Sequence, residues 1–175
     1  MTLQKSTCME LQLAGLKDAE EINDLLNLAY RGEQGWTNEN GLVSGQRSVI
    51  DDVESTIKDE RSPFLIYRDK TQLVACICLE PKGDDIYLGS FAVHPQRQST
   101  GIGTAVLNTA EEYATDKFTV KKFVMVVLSD RADLISFYAR RGYQRNDRKS
   151  DYPVHLNVGT PKHPNLKIEQ LIKYV

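Results

Sequence analysis

The sequence predicts a single α/β domain, a mixed and mostly antiparallel central sheet flanked by about four helices. Three observations carry that reading. Between residues 64 and 93, three apolar runs are separated by short polar turns, the pattern of an antiparallel meander. Helical periodicity stands on both sides of that block. A β-branched run at 122–128 then lies between two helical segments, which makes the sheet a mixed one. The 175 residues fit one domain, 1–175, and a hydrophobic fraction of 41% fills its core.

Taken in order, residues 9–13 alternate weakly and open a sheet. Asp18 with Glu21 three residues on is a variant of the helix-start signal. Ile22, Leu25, Leu26 and Ala29 follow at helical spacing, so a helix is predicted over 18–30. Residues 31–45 hold four glycines, two asparagines and the only tryptophan, the composition of an exposed loop with room for one helical turn. A short helix follows at 49–60. Strands at 64–67, 73–79 and 86–93 are divided by Arg68-Asp69-Lys70 and by Pro81-Lys82-Gly83-Asp84-Asp85. A helix over 101–118 places Ile102, Val106, Ala110 and Tyr113 on one stripe. The strand at 122–128 precedes a helix marked by Leu134, Ile135, Tyr138 and Ala139, which Gly142 ends. Residues 166–175 form a last strand.

A formal net charge of -2 argues against a general nucleic-acid binder, which gathers a basic excess on one face, and leaves room for a local basic patch. No stretch approaches the roughly 18–20 apolar residues of a membrane span. Residues 1–10 lack the apolar run of a signal peptide, so a cytoplasmic location is expected. Three cysteines, an odd number, argue against a disulfide framework. Cys76 and Cys78 fall on one face of a strand as small hydrophobes. The three histidines are scattered and Cys-x-x-Cys spacing is missing, so no metal is expected.

The chemistry concentrates in Phe91-Ala92-Val93-His94-Pro95-Gln96-Arg97-Gln98-Ser99-Thr100-Gly101-Ile102-Gly103-Thr104. An apolar strand ends, a polar turn follows, and two glycines lead into a helix. Glycine lets a ligand approach the backbone, and a helix start offers unpaired N–H groups and partial positive charge. Such a corner suits a pyrophosphate, and Arg97 adds a full charge nearby. A dinucleotide fingerprint would need glycine at Val106, and a P-loop would need Gly-Lys-Ser/Thr; both fail.

What fits is Gln98-Ser99-Thr100-Gly101-Ile102-Gly103 as Gln-x-x-Gly-x-Gly, where the sequence resembles the GNAT N-acetyltransferases. A second match lies in Arg131-Ala132-Asp133-Leu134-Ile135-Ser136-Phe137-Tyr138-Ala139-Arg140-Arg141-Gly142-Tyr143, similar to that family's closing helix with its Tyr-x-x-x-Gly-Phe/Tyr end. The resemblance is strong over about 86–144 and elsewhere rests on element order. It implies the GNAT fold and acetyl-coenzyme A as cosubstrate. It further implies that the loop amides of Gln98, Ser99, Thr100, Gly101, Ile102, Gly103 and Thr104 hold the pyrophosphate, and that Phe91, Ala92 and Val93 bind the pantetheine arm through their backbone. Arg131 stands where many members carry Asn, and is taken as a further coenzyme contact that departs from the pattern.

By the same resemblance Tyr138 is the candidate general acid for the departing thiolate, although it also lies on the core stripe of Leu134 and Ile135. The oxyanion is expected on a strand N–H near Val93. Glu80, before the Pro81 turn, is the candidate base; it reads equally as a solvated turn carboxylate, and Ser129 and Asp130 are alternatives. Trp36, Glu39 and Arg47 lie where the family shapes its acceptor pocket, or form an anchored surface loop. Arg140, Arg141, Arg145 and Arg148 make a basic cluster suited to a coenzyme phosphate or to a solvated helix end. The expected acceptor is a primary amine on a small molecule, with no nucleic-acid or membrane partner and a homodimer as a family trait. A peptide acceptor would need an open groove between the Trp36 loop and the segment after Pro153. The third reading is an acyl-coenzyme A sensor without transfer.

Overall fold

The computed structural model describes residues 9–175. The order is β1 (Gln12–Leu13), α1 (Ala19–Arg31), β2 (Val43–Ser44), α2 (Ile50–Lys58), β3 (Phe64–Asp69), β4 (Gln72–Lys82) and β5 (Asp85–Val93), followed by α3 (Ile102–Lys117), β6 (Lys122–Leu128), α4 (Ala132–Ala139), β7 (Gln144–Asp151), β8 (Thr160–Pro161) and β9 (Lys167–Tyr174). Seven strands form one sheet, β1-β3-β4-β5-β6-β9-β7, and β2 pairs with β8 in a separate two-stranded ribbon. Among the described residues, only β5 and β6 run parallel within the large sheet.

Strand alternation explains the two cores. Leu65, Ala75, Ile77 and Leu79 turn to one face and pack under Val106, Leu107, Ala110 and Ala114 of α3. Phe64, Ile66, Cys76 and Cys78 turn to the other, under Ile22, Leu25, Leu26 and Ala29 of α1. With both faces covered, β4 is buried from Leu73 through Leu79, which is why it reads as an unbroken apolar run. Cys76 and Cys78 are buried free thiols; Cys8 lies outside the described residues, as does most of the stretch read for a signal peptide.

Three features differ from the sequence expectation. The opening strand is only Gln12–Leu13. The loop after α1 contributes β2, whose Val43 faces Pro161 across the ribbon. The strand β7 was not expected at all: Gln-Arg-Asn-Asp-Arg-Lys-Ser-Asp carries no apolar residue, because β7 is an exposed edge paired on one side to β9. No described helix is long and apolar enough to cross a membrane.

The arrangement that matters for function is a splay. The parallel pairing runs from Asp85 opposite Lys122 to Leu88 opposite Met125. Beyond it β6 stays paired to β9 as far as Leu128, while β5 stays with β4 as far as Val93 opposite Ala75. A register shift between Cys76 and Cys78, with Ser90 at a left-handed φ of 46°, is the bulge that bends β5 away. Residues 89–93 therefore turn an unpaired edge toward the gap.

Candidate active site

A cavity of about 430 Å³ occupies that gap. The free edge of β5 forms its floor through Phe91, Ala92 and Val93, α4 supplies Leu134, Phe137 and Tyr138, and the loop after α1 covers it with Trp36 and Thr37. Tyr30 reaches in from α1, and its hydroxyl donates to the Phe91 carbonyl at 3.0 Å. Phe137 packs edge-on against Tyr138, with centroids 5.2 Å apart, and Trp36 leans on Phe137 at 6.0 Å.

One end of the cavity is the start of α3. Gly101, at φ 86°, is the residue before the first turn and offers no capping side chain, and the first turn carries no acidic residue. The left-handed Ser99 and Gly101 turn the chain so that the opening N–H groups of α3 stay available, at the positive end of its dipole. Gly103 follows at the cavity wall, where an added Cβ would meet Phe137 and Val93 only at 3.6 and 3.7 Å. Arg141 comes to the same corner: its Nε donates to Thr104 Oγ1 at 3.0 Å and its guanidinium lies 3.4 Å over the Phe137 ring.

The other end is closed by a buried charge cluster. Glu39 takes both Arg31 and Arg131, the latter at 3.4 Å, and Arg131 also donates to Thr37. Arg31 donates to the Gly45 carbonyl at 3.1 Å and to Val158, tying the loop to the segment before β8. Arg47 stacks on the Tyr30 ring, 4.9 Å from its centroid. Arg131 stands just before α4 and Arg141 just beyond its C-cap, so the two arginines lie at opposite ends of a helix about 12 Å long.

In the comparison with known proteins, residues 20–143 match the Acetyltransferase (GNAT) family. The chain belongs to the GNAT acetyltransferase family. The GNAT domain is 28% identical to the uncharacterized protein YdhI of Bacillus subtilis (strain 168) over 86 residues, 49% of this chain and 52% of that protein. It thus spans about half the length of the curated relative it matches. Its fold is that of a GNAT family acetyltransferase from Elizabethkingia anophelis with acetyl-CoA bound, at TM-score 0.71 and 15% identity over 97% of this chain and 100% of that one. It is also that of the ribosomal-protein-alanine N-acetyltransferase from Brucella melitensis, at TM-score 0.72 and 15% identity over 95% and 100%.

The expected site residues divide over the GNAT domain. Phe91, Ala92, Val93, Gln98, Ser99, Gly101, Gly103, Thr104, Arg131, Trp36 and Tyr138 all line the cavity. Thr100 and Ile102 belong to the same turn without lining it, Thr100 closing it through a 2.6 Å hydrogen bond to the Arg97 carbonyl. Arg97 instead pairs with Asp69 at 2.8 Å. Glu39 and Arg47 stand behind the wall rather than in it. Glu80 lies elsewhere: opposite Tyr87, at the hairpin end of β4 and β5, it borders a second cavity with Asp59, Cys78 and Gly89 and pairs with Lys82 at 3.4 Å. Neither Ser129 nor Asp130 lines the main cavity.

The basic cluster also separates. Arg140 and Arg141 line the cavity, Arg145 pairs with Glu169 at 2.7 Å, and Arg148 is exposed on β7. Among the wall residues outside the sequence expectation for the site are Tyr30 and Thr37. Their signal was available in Tyr30-Arg31-Gly32 and Gly35-Trp36-Thr37, but nothing in a loop sequence says which side chains turn inward. Among the described residues no group of three or more His, Cys, Asp or Glu is placed to hold a metal.

Burial raises the Tyr138 phenol well above its ordinary value, with Tyr30 adding to this and the Arg131 and Arg141 charges opposing it. Burial raises Tyr30 as well, against the pull of Arg47. Both phenols stay protonated at neutral pH. The Tyr138 hydroxyl has no hydrogen-bond partner among the described residues, which leaves it free for a ligand in the cavity.

Proposed function

We propose that the chain is an acetyl-coenzyme A-dependent N-acetyltransferase acting on the primary amine of a small molecule. The observation that carries it is the splay of β5 from β6, which opens an unpaired strand edge between an uncapped helix start and a free phenol. The open N–H groups of α3 suit the pyrophosphate, and Arg140 and Arg141 add charge at that end. The pantetheine arm, itself built of amides, adds to residues 89–93 as a peptide adds to a sheet edge.

In this reading the amine lone pair attacks the thioester carbonyl, forming the C–N bond. Negative charge gathers on the carbonyl oxygen, where a backbone N–H of β5 near Val93 stabilises it. The C–S bond then breaks, the electron pair goes to sulfur, and the Tyr138 hydroxyl hydrogen-bonds and protonates the leaving thiolate. Tyr138 recovers its proton from the nitrogen through solvent. The lining residues include no carboxylate or imidazole, so the amine must bind neutral. Desolvation and the nearby Arg131 charge both favour that form, which removes the need for a side-chain base such as Glu80.

A small acceptor is supported by the way the far end is shut. β2 pairs with β8, Lys162 donates its N–H to the Leu42 carbonyl at 2.8 Å, and Arg31 reaches Val158. These contacts bridge the loop and the segment after Pro153, where a polypeptide would need a groove. The deciding experiment is thermal stability with and without coenzyme A and acetyl-coenzyme A. A ligand at about a hundred times its Kd stabilises by ~2.7 kcal/mol. A shift abolished by Gly101→Glu supports the reading, and no shift at saturating coenzyme overturns it.

A further inference from the structure

The charges around the cavity are of one sign. Its wall holds Arg131, Arg140 and Arg141 and no acidic side chain. Arg140 and Arg141 stand by the start of α3, where the coenzyme phosphates account for them. Arg131 does not share that corner. It stands at the opposite, N-terminal end of α4, a helix about 12 Å long, 6% exposed, between Thr37 and Glu39.

Glu39 does not neutralise this end. It is a single carboxylate between two buried guanidiniums, those of Arg31 and Arg131. Arg31 engages each of its three guanidinium nitrogens, on Glu39, the Gly45 carbonyl and the Val158 carbonyl. Arg131 keeps only Thr37 and a long 3.4 Å contact to Glu39, and none of the described hydrogen bonds uses its Nε. Arg47, stacked on Tyr30, adds a third positive charge behind the wall. A buried guanidinium with idle donors facing a cavity is unfavourable until an anion joins it. Its planar fork suits the two oxygens of a carboxylate.

We infer that the acceptor is a small amine that also carries a carboxylate, and that Arg131 receives this carboxylate while the amine faces the thioester. The inference rests on the acetyltransferase reading and narrows it. A polyamine or a lysine side chain would bring a second positive charge, or its own cationic surroundings, to an arginine wall. An amino-carboxylate brings the missing anion and leaves the neutral amine to react. Arg131 is then a substrate-binding residue at a place where many members of the family carry Asn.

The test is a panel of matched pairs. The standard amino acids, β-alanine and 4-aminobutyrate are each compared with the amine left after removal of the carboxyl group, with putrescine as a cationic control. Release of free coenzyme A thiol is measured for the wild type, Arg131→Met and Arg131→Lys. For at least one pair the carboxylated member is expected to have a kcat/KM at least tenfold above its partner. Arg131→Met should bring that ratio near one by raising the KM for the acceptor, with the acetyl-coenzyme A KM little changed, and Arg131→Lys should keep part of it. If decarboxylated amines or putrescine are used as well as or better than every carboxylated partner, the inference is overturned. It is also overturned if Arg131→Met raises only the acetyl-coenzyme A KM, since Arg131 would then serve the coenzyme. Stabilisation by acetyl-coenzyme A, measured on the same preparations, separates the two levels: its loss in the wild type overturns the acetyltransferase reading itself, and its presence without a carboxylate preference overturns this inference alone.

Discussion

The Gln98 side chain holds Trp36 by its backbone, accepting the Trp36 N–H on Oε1 at 3.0 Å while its Nε2 donates to the Val93 carbonyl at 3.1 Å. One amide thus fastens the covering loop to the free edge of β5, joining two walls of the cavity. Replacing it by Gln98→Leu keeps the bulk and removes both bonds. Stability to denaturant should fall by about 1 kcal/mol, with the KM values for both substrates rising together. A rise in only one would show that the two walls are held independently.

The two glycines of the loop have different tasks. Gly101 is left-handed, at φ 86°, so Gly101→Ala should cost about 1–2 kcal/mol from backbone strain. Gly103 has ordinary contact distances around an added Cβ and lies in a helix, so Gly103→Ala should keep or slightly raise stability. Its coenzyme affinity should nevertheless drop, because the methyl group stands where the phosphates approach. Calorimetric titration with coenzyme A beside a melting curve separates the two effects; unchanged affinity in Gly103→Ala would move the phosphates elsewhere.

Tyr138→Phe should lower kcat by about 10²–10⁴-fold while leaving coenzyme A binding nearly unchanged. Because burial raises the phenol, it remains a donor throughout the neutral and mildly alkaline range. The wild-type rate should therefore climb as the amine loses its proton, with no falling limb from Tyr138 below about pH 10. A falling limb near pH 8 that disappears in Tyr138→Phe would contradict both the burial and the role.

A buried polar cluster braces the underside of the site. Tyr143 donates to Glu111 at 2.7 Å, and Lys173 pairs with the same carboxylate, so α3, the end of α4 and β9 meet at one side chain. Glu111→Ala removes the shared partner of both and should cost about 3 kcal/mol, read as a lowered denaturation midpoint at constant slope.

Acid should weaken the contact between α1 and β3. For Asp18, burial pushes the carboxyl up, but the Gly15 N–H and the Arg68 guanidinium outweigh it and hold the carboxyl below its ordinary value. Glu21 is held low chiefly by its hydrogen bond from Arg68. Carboxyls lowered by folding stabilise above their unfolded values, near ~4, and that contribution is lost as pH falls through the folded values. The stability gap between wild type and Arg68→Met should be full at pH 6 and shrink below about pH 4. A constant gap down to pH 2.5 would assign Arg68 a packing role only.

Much of this was legible because burial and function leave different marks. The meander could be read from β4, whose two-sided burial forces an apolar run, and the strand-to-helix corner from Gln98 to Gly103, where glycines meet a helix start. β7 was hidden because an edge strand with both faces wet needs no apolar residue. The ribbon of β2 and β8 was hidden because two residues per strand are too few for any periodicity. Glu80 illustrates a third limit: a carboxylate after a strand looks alike at either end of a hairpin, and only the register places it opposite Tyr87, outside the lining of the cavity that holds Tyr138. The pairing of Arg31 with Glu39 and Arg131 depends on side chains remote in sequence, which no local pattern encodes.

The place of β9 has a consequence for how the molecule comes into being. This strand lies inside the sheet, between β6 and β7, and β6 forms the far side of the splay. During translation β6 emerges long before its neighbour, with one edge bare and the other turned from β5 beyond Met125. Until Lys167–Tyr174 clears the ribosome, the nascent chain holds the meander and its coenzyme corner but lacks a fixed opposite wall. Competence to bind should therefore arrive late and abruptly, and a stalled chain ending near residue 160 should expose β6 to chaperones rather than to coenzyme.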